Sequence, residues 1–299
     1  MHELIATAER FEELVQRGRD ETPYEYGTMF PADGYWARRA SRKRFTLLKR
    51  IDESLRAMLR PGERVVFLSR GVLSSFAESY LVGALIYYIN RRAIVLTTER
   101  IILMEIDGRQ RPGALRSQVP LRSIERFGRT LLGNTVLRLA DGAKCVFAYV
   151  TRKDRKALTE LMPAATARAT AAGTSGGLEH LCPRCFKPLS GQPLECPHCG
   201  GRLKSQRKAA WLSVLFPGLG NIYLGHRGMG ALEMALGALI WAGNLLRPGV
   251  LASPETFLAT ALAIVVCVHG LDAAVTLHIS KKGYYPEGES PPGLLPHAS

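Results

Sequence analysis

The sequence predicts a multidomain α+β protein: a seven-stranded antiparallel barrel with a C-terminal helix, a small metal module, and an α-helical transmembrane hairpin. Three observations carry this. Short β-rich segments fill residues 63–162. Four of the six cysteines fall between positions 182 and 199, in two C-x2-C pairs. Three apolar segments follow within residues 209–279.

Residues 1–60 form an N-terminal helical segment. "IATAERFEELVQRG" is a modest amphipathic helix ending at Gly18, and "TPYEYGTMFPADGYW" is turn-rich. In "SRKRFTLLKRIDESLRAMLRPGE", Phe45, Leu48, Ile51, Leu55, Met58 and Leu59 recur at three- and four-residue steps. Pro61 and Gly62 stop that helix.

Residues 61–163 change period. "ERVVFLS" reads as a strand, and "RAIVLTTERIILMEID" as two strands joined at Thr98-Glu99. "SQVPL", "SIERFGR", "NTVLRLADG" and "AKCVFAYV" complete seven strands, with turns at Gly128, Gly133 and Asp141-Gly142. "TRKDRKALTELM" closes the block as a helix, with Thr151 as N-cap and Asp154 in its first turn. The insertion "SSFAESYLVGALIYYIN" (74–90) is apolar but short for a span, and reads as core packing or a surface that touches lipid. Around "RRAIVLTTERIILM" and "VPLRSIERF" the chain resembles the bacterial pleckstrin-homology-like domains. That resemblance implies a seven-stranded barrel with a C-terminal helix and no catalytic motif.

Residues 164–180, "AATARATAAGTSGGLEH", read as a flexible linker. A small module at 181–203 follows. Cys182, Cys185, Cys196 and Cys199 place two thiolates on each of two tight turns, the four corners of a tetrahedron. Gly200 and Gly201 help the second turn, where positive φ is expected. This resembles the zinc ribbon family, which implies a structural Zn²⁺ with every position filled by protein. The same ligands also hold iron, and a pair of redox C-x-x-C motifs is the remaining reading. His198 lies between ligands and reads as solvated or as a neighbour of the site rather than a fifth ligand.

Residues 204–282 form the membrane domain. The first apolar segment, 209–225, is broken by Pro217, Gly218 and Gly220. Its unbroken half, "AAWLSVLF", rises about 12 Å as a helix and cannot cross a hydrocarbon core of about 30 Å. The second segment, 228–246, carries Glu233, and the third, 255–279, carries His269 and Asp272. If all three span, Arg202, Lys204, Arg207, Lys208 and Arg247 lie inside and Arg227, Lys281 and Lys282 outside. If the broken segment re-enters, only Arg247 lies outside, which the positive-inside rule favours. Both ends are then cytoplasmic, in keeping with reduced thiolates, and the location expected is a bacterial inner membrane. "FPGLGNIYLGHRGMGALEMALG" resembles the small two-transmembrane-helix domain family through Gly218, Gly220, Tyr223, Leu224, Gly225 and Gly230. That family implies a membrane location rather than an activity. Gly228, Gly230, Gly237, Ala238 and Gly243 suit close helix packing, including packing between copies in a homo-oligomer. Residues 283–299, rich in proline and glycine, read as a disordered tail.

Lys and Arg number 40 against 26 Asp and Glu, a net charge of +14 that favours anionic partners. No nucleophile–base pair, phosphate loop or open metal site emerges, so no enzyme is expected. The function expected is a membrane-anchored binding or scaffold protein. Basic clusters in "RRASRKRFTLLKR" and "TRKDRK" would engage anionic lipid headgroups or a protein partner. Two alternatives stay open. One is a small transporter or channel subunit using Glu233, His269 and Asp272. The other is a membrane-tethered zinc-ribbon nucleic-acid binder through "RLKSQRK", although that run leads straight into apolar sequence and is better explained as a membrane flank.

Overall fold

The structure, a computed structural model, describes residues 22–30, 35–73, 90–130, 133–169, 176–247, 250 and 253–288. The expected helix before Gly18 and nearly all of the apolar insertion (74–89) lie outside these residues. The chain divides into two compact units, Met1–Glu179 with Pro291–Ser299, and His180–Ser290.

The first unit is α+β. A one-turn helix α1 (Tyr26–Met29) precedes α2 (Tyr35–Arg56). Seven strands follow: β1 (Val65–Leu73), β2 (Arg91–Thr97), β3 (Arg100–Ile106), β4 (Pro112–Pro120), β5 (Ile124–Arg129), β6 (Thr135–Leu139) and β7 (Lys144–Ala148). Helix α3 (Arg152–Arg168) completes the block. The strands pair antiparallel in the order β5-β6-β7-β1-β2-β3-β4. The ends of that order, β4 and β5, are consecutive in the chain and joined by a single 3₁₀ turn, Leu121–Ser123.

Burial explains why β2 and β3 are apolar on both faces rather than alternating. Ile94, Leu96, Ile101 and Leu103 point into a core shared with Phe67, Leu137 and Phe147, and with Leu158 and Met162 of α3. Ala93, Val95, Ile102 and Met104 lie on the other face and are equally buried. Of the apolar stripe, Leu48, Ile51 and Leu55 of α2 and Met58 just past its end are buried, and Phe45 and Leu59 are half-buried.

Two buried ion pairs tie these layers together. Arg44 of α2 donates through Nε to Asp154 Oδ1 at 3.1 Å and through Nη1 to Met29 O at 2.9 Å. Ser69 of β1 donates to Asp154 Oδ2 at 2.9 Å, and the Arg44 guanidinium lies 4.5 Å from the centre of the Phe67 ring. At the other end of α2, Arg100 forks onto Glu63, with Nε to Oε1 at 2.9 Å and Nη2 to Oε2 at 2.8 Å. The Arg60 N–H and the Thr97 hydroxyl also donate to that carboxylate, at 2.9 and 2.6 Å.

Several boundaries move. Gly128 lies inside β5 opposite Val136, and the turn after it falls at Gly133, where φ is +81°. Helix α3 continues through Pro163 to Arg168, into the stretch read as linker. Ala165 and Ala169 join the core there, and that packing outweighs the backbone hydrogen bond lost at the proline.

The second unit begins with strand β8 (Glu179–Leu181), whose first residue belongs to the first unit, and β9 (Pro188–Leu189). Five helices follow: α4 (Gln206–Leu215), α5 (Leu219–Leu224), α6 (Arg227–Leu245), α7 (Pro254–Ile264) and α8 (Gly270–Ser280). A π-helical turn, Val265–His269, joins α7 to α8 in one continuous helix, Pro254–Ser280. Its 27 residues are long and apolar enough to cross a membrane, and no other helix among the described residues meets both criteria. The tail expected to be disordered is ordered through Gly288, with Tyr284 and Tyr285 buried.

Candidate metal centre

The four-cysteine site is built by two copies of one backbone device. In the first, the Phe186 N–H donates to Cys182 O at 3.1 Å and the Cys182 N–H to Lys187 O at 2.9 Å. In the second, the Gly200 N–H donates to Cys196 O and the Cys196 N–H to Gly201 O, both at 2.9 Å. Each loop needs one left-handed residue, at Phe186 (φ +58°) and at Gly200 (φ +66°). Gly200 meets that need without a steric penalty; Phe186 adopts it against its Cβ.

These loops bring the sulfurs together. All four Sγ atoms lie within 4.8 Å of one another, with Cys182–Cys199 at 3.8 Å and Cys185–Cys196 at 3.7 Å. A tetrahedral zinc with bonds of about 2.3 Å requires edges of about 3.8 Å. The set therefore fits Zn²⁺, and Cys182, Cys185, Cys196 and Cys199 would hold it with no place for a reacting water. Burial pushes the Cys182 and Cys185 thiols up. Burial also raises Cys196, but the N–H groups of His198 and Cys199 outweigh it and hold that thiol below its ordinary value. His198 is exposed and stands outside the cluster.

The module is fastened to both ends of the helical region. Leu203 bridges to Pro286, and the Lys204 N–H donates to Tyr285 O at 2.8 Å. The Tyr284 hydroxyl donates to Gly191 O at 2.9 Å, and Arg202 pairs with Glu287 at 3.1 Å. Residue 204, just before α4, is thus hydrogen-bonded to residue 285, just after α8. The proline count of the tail hid this. The paired Tyr284-Tyr285, apolar bodies with hydroxyls to place, were the available signal.

The three ionisable residues of the apolar segments each hold the broken segment to the long helices. Helix α4 stops at Leu215 before Pro217, and Gly218 takes φ +87°. The Gly218 N–H donates to Asp272 Oδ2 at 3.0 Å, and Asn221 Nδ2 donates to Glu233 Oε2 at 2.7 Å. His269 uses both ring nitrogens: Nδ1–H donates to Val214 O at 2.8 Å, and Nε2 accepts from Trp241 Nε1 at 3.0 Å. Ser213 and Thr276 share a hydrogen bond of 2.9 Å nearby.

Of the small residues on α6, Gly230 and Gly237 face the same chain. A Cβ on Gly230 would lie 2.6 Å from Gly218 O, and one on Gly237 3.1 Å from Pro217. Gly228 and Gly243 border open space, and Ala238 is exposed. The exposed large hydrophobic residues of the described chain, Tyr149 and Leu194 aside, lie between Trp211 and Leu271 on this helical region.

Neither a family model, nor a characterised protein, nor a solved structure matches this chain.

Proposed function

We propose that the chain is a membrane-anchored binding protein that performs no reaction. Its first unit is a pleckstrin-homology-like domain that engages anionic lipid. Its four cysteines hold a structural zinc, and α6 with the continuous helix Pro254–Ser280 forms a transmembrane hairpin. The first seven strands support the first part, since β4 and β5, at the two ends of their order, are consecutive in the chain and all seven share a core with α3. The pairing of residues 202–204 with 284–287 carries the second part. Segments that meet in hydrogen bonds lie on one side of any membrane the intervening helices cross, so the number of crossings is even. Helix α4, ten residues long, rises about 15 Å and is too short to be one of them. The broken segment α4–α5 re-enters, and the exposed apolar residues of α6 and α7 face lipid.

Glu233, His269 and Asp272 serve as anchors of the re-entrant segment, because each hydrogen-bonds a group of that segment: Asn221, Val214 and Gly218 respectively. The basic flank Lys204, Arg207 and Lys208 then marks the cytoplasmic face, where thiolates stay reduced. The test uses the full chain in nanodiscs. Hydrogen exchange in the first unit should slow in discs of mixed phosphatidylglycerol and phosphatidylcholine relative to phosphatidylcholine alone, and the difference should fade at high salt. Equal exchange in both discs at low salt removes the lipid-binding reading.

A further inference from the structure

One end of the helical unit gathers cations around a single aromatic ring. Lys204 stands just before α4, Lys208 lies in its first turn, and Arg227 opens α6. Tyr223, near the end of α5, meets two of them. Lys204 Nζ lies 5.6 Å and Lys208 Nζ 5.2 Å from the centre of its ring. The ring is held in place, because the Tyr223 hydroxyl oxygen accepts the Ser205 N–H at 3.2 Å. Gly225 takes φ +108°, and a Cβ on Gly225 or Gly228 would meet nothing within 4 Å. The turn between Tyr223 and Arg227 therefore borders open space.

This cluster has no anion of its own. Among the described residues, Lys204, Lys208 and Arg227 make no ion pair. Glu287 acts on Lys204 but is already paired with Arg202 at 3.1 Å. Burial lowers the Lys204 pKa, and the Arg227 charge lowers it further. The first turn of α6, a 19-residue helix, contains no acidic residue, and His226 makes no side-chain cap hydrogen bond there, so the helix dipole adds to the positive field. Apolar surface continues from these cations. Lys208, Trp211 and Leu215 recur at steps of three and four residues, which places them on one face of α4, and all three are exposed. Ammonium, indole and aliphatic side chain thus follow one another over about 10 Å of helix. A phospholipid presents phosphate, glycerol and acyl chain in the same order, and indole rings favour the depth between headgroup and hydrocarbon.

We propose that Lys204, Lys208 and Arg227 seat the phosphate of one anionic phospholipid of the cytoplasmic leaflet, with its acyl chains lying along Trp211 and Leu215. Cations held near one another repel, and a phosphate among them replaces that repulsion with charge-assisted hydrogen bonds. The occupant is a lipid rather than a soluble phosphate, because Lys208 shares its helix face with an exposed indole and an exposed leucine. Tyr223 gathers the two lysines, and the turn at Gly225 brings Arg227 to them. The site belongs to the second unit alone. It rests on the transmembrane hairpin with its re-entrant segment, which puts the start of α4 at the membrane surface.

Native mass spectrometry of the full chain in detergent tests this, with phosphatidylglycerol and phosphatidylcholine of the same acyl chains added in equal amounts. The wild type should retain phosphatidylglycerol over phosphatidylcholine by about fivefold or more. K204Q/K208Q should lower that ratio by about threefold or more, and K204R/K208R should keep it. K208Q alone, changed only at an exposed side chain, should already lower it by about twofold. R207Q/R247Q removes the same charge at exposed positions away from the Tyr223 ring, and should change the ratio by less than about twofold. No preference in the wild type overturns the proposal, as does an equal loss in K204Q/K208Q and R207Q/R247Q. A preference that survives in K204Q/K208Q also overturns it, and leaves the anionic lipid to the first unit. Hydrogen exchange along α6 in nanodiscs separates the site from the hairpin. Slow exchange there without a lipid preference removes the site and leaves the hairpin. Fast exchange there removes the hairpin, and the site with it.

Discussion

Glu63 shows how much one buried side chain can carry. Burial would raise its pKa, yet the Arg100 fork, the Thr97 hydroxyl and the Arg60 N–H outweigh that and hold the carboxyl below its ordinary range. A folded pKa below the unfolded one means that the folded state binds fewer protons. The stability this group adds is therefore full above the unfolded value of about 4.3, and is lost as pH falls through the folded value. Removing one partner of a buried pair costs about 3–5 kcal/mol. E63Q should thus lower unfolding stability by that order at pH 7, and the gap to wild type should narrow below about pH 4. Denaturant titrations at several pH values measure both. The cysteines were legible in the sequence because both ligands of each pair lie on one local turn. The partner of Asp154 was not. Asp154 shows locally as a first-turn acid, and Arg44 lies 110 positions away. Only the packing of α2 and α3 on β1 joins them.

At the level of elements, strands were read well where burial makes the signal dense, as in β2 and β3. They were read short at β1 and β4, whose ends carry Gly71 and Gly113. Helix α3 and the tail ran past their expected limits for one reason: small or aromatic residues gain more from packing than local composition records. The break after α4 is the reverse case, since Pro217 and Gly218 announce it. What the sequence does not reveal is how tightly the break is held. A Cβ on Gly230 would sit 2.6 Å from Gly218 O and equally close to Ile222. G230A should therefore lower the thermal midpoint by several degrees, whereas G228A, with nothing within 4 Å, should leave it unchanged or slightly raised. Equal effects from the two would mean that the break does not pack against α6 as described.

For the whole molecule, the metal module is a clamp. It fixes the start and the end of the helical region together through Leu203–Pro286 and Lys204–Tyr285. Metal analysis of the purified chain should give about one zinc per molecule. C182S/C196S should lose it and expose Tyr284 and Tyr285 to rapid exchange. Iron in that assay would reassign the ion and leave the clamp intact. The even number of crossings is the central claim, and reporter fusions in a bacterial host test it most directly. Alkaline phosphatase fused after Arg247 should be active, and a fluorescent protein fused at the C-terminus should fluoresce, placing the α6–α7 connection outside and both flanks inside. Active phosphatase at the C-terminus with none after Arg247 would mean three crossings and would contradict the account.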